Sequence, residues 1–192
     1  LRREKIMSAK ILVIAGSLRK ESNSKAIQNT LCERNWSGAV LESFDLEGIP
    51  LYNGDLDGEE KPGLVLSFKE AISRSDGLVV ISPEYNYGMS GVLKNAIDWA
   101  SRPAMKSVLK DLPCVVITSS PAGTGGVRAQ EQVHKTLLAC LSQLVPTPQV
   151  CIPKVHEKIS NGRLTDETSL EMAVNAVESL VEWVRSRDRV TA

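Results

Sequence analysis

The chain carries no excess charge of either sign: 23 Lys and Arg stand against 23 Asp and Glu. No whole-molecule field draws it toward nucleic acid, an anionic membrane or an acidic carrier protein, so any anion site has to be local. Long apolar runs are missing as well. The stretch after the charged opening, residues 11–15, is too short for a signal-peptide core or a membrane span, and a cytoplasmic protein is the expectation. Residues 1–7 read as an N-terminal extension, with Met7 as a start residue, and stay outside the fold argument. Cys32, Cys114, Cys140 and Cys151 lie far apart and form no C-x-x-C, and His134 and His156 are the only histidines. No metal site is expected from that spacing, which fits reduced, buried thiols instead.

Several catalytic signatures are absent too. G-x-x-x-x-G-K-[ST] does not occur, which argues against P-loop nucleotide hydrolysis. A dinucleotide fingerprint in the third Gly-rich stretch would need glycine at 123, 125 and 128, and position 128 is arginine. No cysteine lies in residues 16–24, so a phosphate bound there meets no thiolate, and the G-x-S-x-G elbow of esterases is missing.

What is present is a regular alternation. The chain has 192 residues, 42% of them apolar, and no linker or composition shift divides it, so residues 8–192 are read as a single domain. Short apolar runs at 10–15, 40–46, 77–82, 114–119 and 149–152 alternate with stretches of helical period, the pattern of βαβ units on a parallel sheet. Run 40–46 carries Glu42 and Asp45 and reads as an edge. Leu64, Val65, Phe68 and Ile72 share one helical face, as do Val92, Leu93, Ala96, Ile97 and Ala100. The longest stripe runs Leu170, Ala173, Val174, Val177, Leu180, Val181, Val184, with Asp166, Glu167 and Glu171 near its favourable N-terminal dipole end.

An open parallel sheet binds ligands beyond the carboxyl ends of its strands. Three loops leave such ends here: 16–24, 82–91 and 119–127. In "GSLRKESNS", Gly16 turns the chain off the first strand, and Ser17, Ser22, Asn23 and Ser24 offer short polar side chains beside the next helix, with Arg19 in reach. That set suits a phosphate, although Ser22 or Ser24 acting only as the cap of helix 25–34 explains the loop equally well when it is taken alone. "SPEYNYGMSG" brings two tyrosines against which a planar heterocycle could rest, or which merely cover a helix start. "TSSPAGTGG" lacks bulk and exposes its backbone.

The combination G-S-L-R-x-x-S-x-[NS] with S-P-E-Y-N-Y-G-x-S-G-x-L-K-N-A-I-D-W resembles the NADPH-dependent FMN reductase family, which includes bacterial quinone, chromate and azo-dye reductases. The resemblance covers about residues 10–184. It implies a flavodoxin-like α/β three-layer sandwich with a five-stranded parallel sheet in the order 2-1-3-4-5, non-covalent FMN, and a homodimer or homotetramer. It implies that Ser17, Arg19, Ser22 and Ser24 hold the FMN phosphate. Pro83, Glu84, Tyr85, Asn86 and Tyr87 would line the ring, with Asn86 and Tyr87 the main side-chain participants; Ser119, Ser120 and Gly123 would border its far side. Position 23, often aromatic in the family, is Asn here.

The implied chemistry is hydride transfer from NADPH or NADH to bound FMN and onward to a quinone-like, azo, chromate or flavin acceptor. The cofactor carries that reaction and no protein general acid is required, so Glu84 and Asp98 are not read as proton donors. The alternative is a flavodoxin-type FMN electron carrier without turnover, but such carriers are usually strongly acidic and this chain is neutral. Trp99 and Met89, close to the second loop, are candidates for a surface that a partner subunit covers.

Overall fold

The protein is described by a computed structural model over residues 8–190. The N-terminal extension read in residues 1–7 lies outside the described residues. In chain order the elements are β1 (Ala9–Ala15), α1 (Asn23–Glu33), β2 (Ala39–Phe44), α2 (Gly63–Ser73), β3 (Gly77–Tyr85), β4 (Gly88–Met89) and α3 (Gly91–Ala100). They continue with β5 (Pro113–Ser120), α4 (Val127–Ala139), β6 (Gln143–Leu144), β7 (Val150–Pro153), β8 (Ile159–Ser160), β9 (Arg163–Leu164) and α5 (Glu167–Val190).

Strict alternation along the central strands decides the layering. Ile11, Val13, Val79, Ile81, Val115 and Ile117 point to one face, where α1 and α5 cover them through Ile27, Leu31, Val177 and Leu180. Leu12, Ile14, Leu78, Val80, Cys114 and Val116 point to the other, under Phe68 and Ile72 of α2, Leu93 and Ile97 of α3, and Val133 of α4. Burial on both faces is why these strands read as unbroken apolar runs. The result is a flavodoxin-like α/β sandwich.

The sheet runs β2-β1-β3-β5, all parallel, with β2 at the edge. Two details depart from the five-strand, 2-1-3-4-5 expectation. The fifth position is shared: β6 pairs with Pro113 and Cys114 at the start of β5, and β7 with Ile117 to Ser120 at its end. Between them Pro146 and Pro148 lack the N–H groups that a continuous strand would need. The second departure is β4, which folds back antiparallel on the end of β3, so part of the expected 82–91 loop is a hairpin.

Gln130 of α4 closes the widened seam between β5 and β7. Its side chain is buried; Nε2 donates to the carbonyls of Val116 (3.1 Å) and Val150 (3.3 Å), and Oε1 accepts from the Cys151 thiol (2.9 Å). Replacing it by Met keeps the volume and orphans those groups. Gln130→Met is expected to lower stability by about 2 kcal/mol, the range for a buried polar group left unpaired. Urea denaturation checks this, and an unchanged midpoint would mean that the amide bridges nothing of consequence.

The thiols differ from their expected full burial: Cys114 is buried, while Cys32, Cys140 and Cys151 are only partly covered. All four are free, and desolvation pushes Cys32 up to about 11 and Cys114 up to about 12. At neutral pH neither of those two offers a thiolate. Among the described residues no helix is long and apolar enough to cross a membrane.

Candidate functional site

Gly16 leaves β1 under tight constraint. Its N–H donates to Ile81 O at 2.8 Å, and a Cβ at this position would stand 2.6 Å from Ser90 Oγ and 2.9 Å from Leu93 Cβ. Glycine is what lets the first loop lie against the start of α3. The loop then delivers its polar side chains to the N-terminus of α1. Ser22 is the N-cap there, its Oγ accepting from Lys25 N at 3.2 Å. The capping explanation is therefore right for Ser22, whose hydroxyl hydrogen is still free to serve a ligand.

Ser17, Ser24 and Ser119 are different. They are 5%, 1% and 2% exposed, and none of their hydroxyls makes a hydrogen bond among the described residues. Three unpartnered hydroxyls, carried by nearly buried residues of three separate elements, line one cavity of about 110 Å3. Hydroxyls that open into a cavity without a protein partner are free to donate to and accept from a ligand. Their arrangement, beside the positive end of α1, fits a phosphate ester. Arg19 lies on the same cavity, its guanidinium donating to the Glu21 carbonyl through Nε (3.1 Å) and a terminal nitrogen. A guanidinium has five N–H groups, so three remain for an anion.

Pro83, Glu84 and Tyr85, at the end of β3, form the opposite wall. The Glu84 carboxylate is nearly buried and already committed. It accepts from the N–H groups of Arg128 (3.0 Å) and Ala129 (3.1 Å) and faces the Arg128 guanidinium at 3.6 Å. α4 begins at Gly126, which has no side chain to cap it, and Glu84 caps it from a distance. Glu84→Gln keeps an acceptor and removes the charge, with an expected loss of about 1 kcal/mol; Glu84→Ala is expected to cost about 2 kcal/mol. Thermal melts of the two variants check the order, and equal melting temperatures for both and the parent would contradict the capping role. Asp98, the other carboxylate considered, pairs with Lys94 at 2.6 Å on the solvent side of α3.

Of the twelve residues singled out in the sequence, Asn86, Tyr87, Ser120 and Gly123 do not line the cavity. Asn86 and Tyr87 form the two-residue turn of the β3–β4 hairpin, with φ of 49° and 64°. Tyr87 is 74% exposed, and the Arg128 guanidinium stacks 4.4 Å from its ring centre. Ser120 Oγ accepts from Ala122 N, and Gly123 faces open space. Trp99 is no partner surface. It is fully buried, donates to Pro50 O at 2.8 Å and meets Tyr52 edge-on. Met89 is 7% exposed. Asn23, Pro121 and Val155 complete the lining. Pro121 sits inside the third loop, whereas Val155 arrives from beyond β7 with nothing in its local sequence to announce it.

A parallel sheet with a phosphate-sized cavity at the carboxyl ends of β1, β3 and β5 defines a mononucleotide-binding protein of the flavodoxin-like class. Residues 9–157 match the NADPH-dependent FMN reductase family. An NAD(P)H-dependent FMN reductase of Pseudomonas aeruginosa is 38% identical, over 92% of this chain and 95% of its own. A 2-hydroxy-1,4-benzoquinone reductase of a Burkholderia species is 34% identical, over 94% and 99%. Among solved structures, the flavoenzyme NAD(P)H:(acceptor) oxidoreductase FerB from Paracoccus denitrificans superposes with a TM-score of 0.78 at 34% identity, over 93% of this chain and 98% of that one. The chain belongs to the NADPH-dependent FMN reductase family. It is an oxidoreductase whose cofactor is FMN and whose hydride donor is NAD(P)H.

Proposed function

We propose that this enzyme passes electrons from NADPH or NADH through FMN to a quinone-like acceptor, with azo compounds, chromate and free flavin as further acceptors. When bound, FMN supplies the hydride chemistry. Ser17, Ser22, Ser24 and Arg19 hold its phosphate. Pro83, Glu84 and Tyr85 border the ring on one side and Ser119, Ser120 and Gly123 on the other, while Asn86 and Tyr87 shape the rim. The observation that carries this reading is the set of three unpartnered hydroxyls, on nearly buried residues, around one cavity too small to enclose a three-ring heterocycle. A ring attached to a phosphate seated there has to lie across the open lip, where a flat acceptor can reach it.

The names of two similar enzymes, 2-hydroxy-1,4-benzoquinone reductase and the quinone reductase of Pseudomonas putida, support the quinone class. With Glu84 spent on α4 and Asp98 paired with Lys94, neither carboxylate serves as an acid. The test is steady-state NADPH oxidation by the FMN-loaded protein with benzoquinone. Turnover well above that of free FMN is expected, and a rate equal to free FMN overturns the reading.

Residues 8–192 act as one FMN-binding unit in this proposal, in the cytoplasm and as a homodimer or homotetramer. Exposed Tyr85 and Tyr87 beside the lip support association, since a second copy resting on them would shield the ring from water.

A further inference from the structure

Next to the phosphate cavity, and sharing Arg19, Ser22, Asn23 and Pro121 with it, lies a wider groove of about 500 Å3. The first turns of α1 make one wall; the other is the segment from His156 to the β8–β9 hairpin. In the function proposed above the FMN ring would lie toward Pro83 and Tyr85, which leaves this groove unused. The lining is nonetheless selective. Lys20 makes no ion pair among the described residues, and Lys25 and His156 add two more nitrogen groups. Lys25 holds Asp45 at 3.1 Å and His156 faces Glu157 at 3.7 Å. Among the described residues, Glu21 is the one carboxylate residue in the lining. Ile159 and Pro121 offer apolar surface, and Asn29 an exposed amide able both to donate and to accept.

A groove of that size, cationic at its junction with a phosphate cavity and part apolar beyond, suits a nucleoside phosphate. We propose that it receives the adenylyl half of FAD, joined to the phosphate held by Ser17, Ser24 and Arg19, so that the chain accepts the dinucleotide flavin as well as FMN. The proposal rests on the phosphate reading above. The second phosphate falls at the shared rim, near Arg19 and Lys20, and the base lies between Asn29 and Ile159.

The experiment is titration of the apo-protein with FMN, FAD and riboflavin, followed by flavin fluorescence, and of the FMN-loaded protein with AMP. FAD is expected to bind within about tenfold of FMN. Asn29→Trp, on the exposed face of α1, fills the groove and is expected to weaken FAD by about 100-fold while FMN changes less than threefold. Lys20→Ala/His156→Ala is expected to weaken FAD about tenfold by removing two nitrogen groups without adding bulk. FAD binding more than about 1,000-fold weaker than FMN overturns the proposal, as does Asn29→Trp acting equally on both. AMP bound by the FMN-loaded protein while FAD is rejected overturns the tethered form and assigns the groove to a free nucleotide. Should FMN bind no tighter than riboflavin, the phosphate reading itself fails, and that outcome is separate from a failure of the groove.

Discussion

Gly125→Ala is expected to lower stability by about 3 kcal/mol and the melting temperature by roughly 10 °C. Gly125 has φ +65°, and a Cβ there would stand 2.6 Å from Cys151 C, 2.7 Å from its carbonyl oxygen and 2.9 Å from Ile152 N. All three atoms are backbone of β7, which the ladder to β5 holds from Ile117↔Val150 to Ser120↔Pro153. The strand cannot retreat without breaking that ladder, so the overlap adds to the left-handed penalty of a non-glycine residue. Gly123, two positions earlier, has nothing within 4 Å and an ordinary φ. Gly123→Ala is therefore expected to stay within about 0.5 kcal/mol of the parent. Thermal and urea denaturation of the pair separate the two cases, and matching curves would contradict the packing of the third loop against β7.

Arg19→Ala is expected to weaken FMN roughly 10- to 100-fold with no loss of fold stability. A charge-assisted hydrogen bond contributes about 1.5–3 kcal/mol, which converts to that range. Stability is spared because the side chain is exposed and, among the described residues, it bonds only the Glu21 carbonyl of its own loop. Arg19→Lys is expected to recover part of the affinity, since an ammonium restores the charge but not the planar fork. Fluorescence titration with FMN measures all three proteins. Equal affinities would remove Arg19 from the clamp and leave the phosphate to the hydroxyls and the helix end.

The central layers were legible because their physics is local. β1, β3 and β5 are buried on both faces, so each reads as an apolar run, and Glu42 with Asp45 marked β2 as the edge. The stripe from Leu170 to Val184 became α5 with its buried face as read. Other features depended on partners distant in the chain. Tyrosine at positive φ is unfavourable alone, so nothing in P-E-Y-N-Y-G announced a hairpin turn; Arg128 stacks on that ring from forty-one positions further on. The role of Glu84 as the cap of α4 was not legible, because the contact with Arg128 N and Ala129 N exists only after folding. The β8–β9 hairpin did carry a local signal, Asn161-Gly162 between short runs, as did the split of the fifth strand position in V-P-T-P-Q.

At the site, the loop from 16 to 24 and the end of β3 converged as the motifs implied. The hairpin tip did not join them. The distinction is geometric: a residue can sit within a motif and still turn outward, as Tyr87 does, while Val155 enters the cavity from outside every motif.

The whole account depends on a monoester phosphate seated among Ser17, Ser22, Ser24 and Arg19. Comparative titration of the apo-protein with FMN and with riboflavin tests this most directly, because the two ligands differ only in that phosphate. FMN is predicted to bind at least about 100-fold more tightly, with the gap narrowing in Arg19→Ala. Riboflavin bound as tightly as FMN would contradict it.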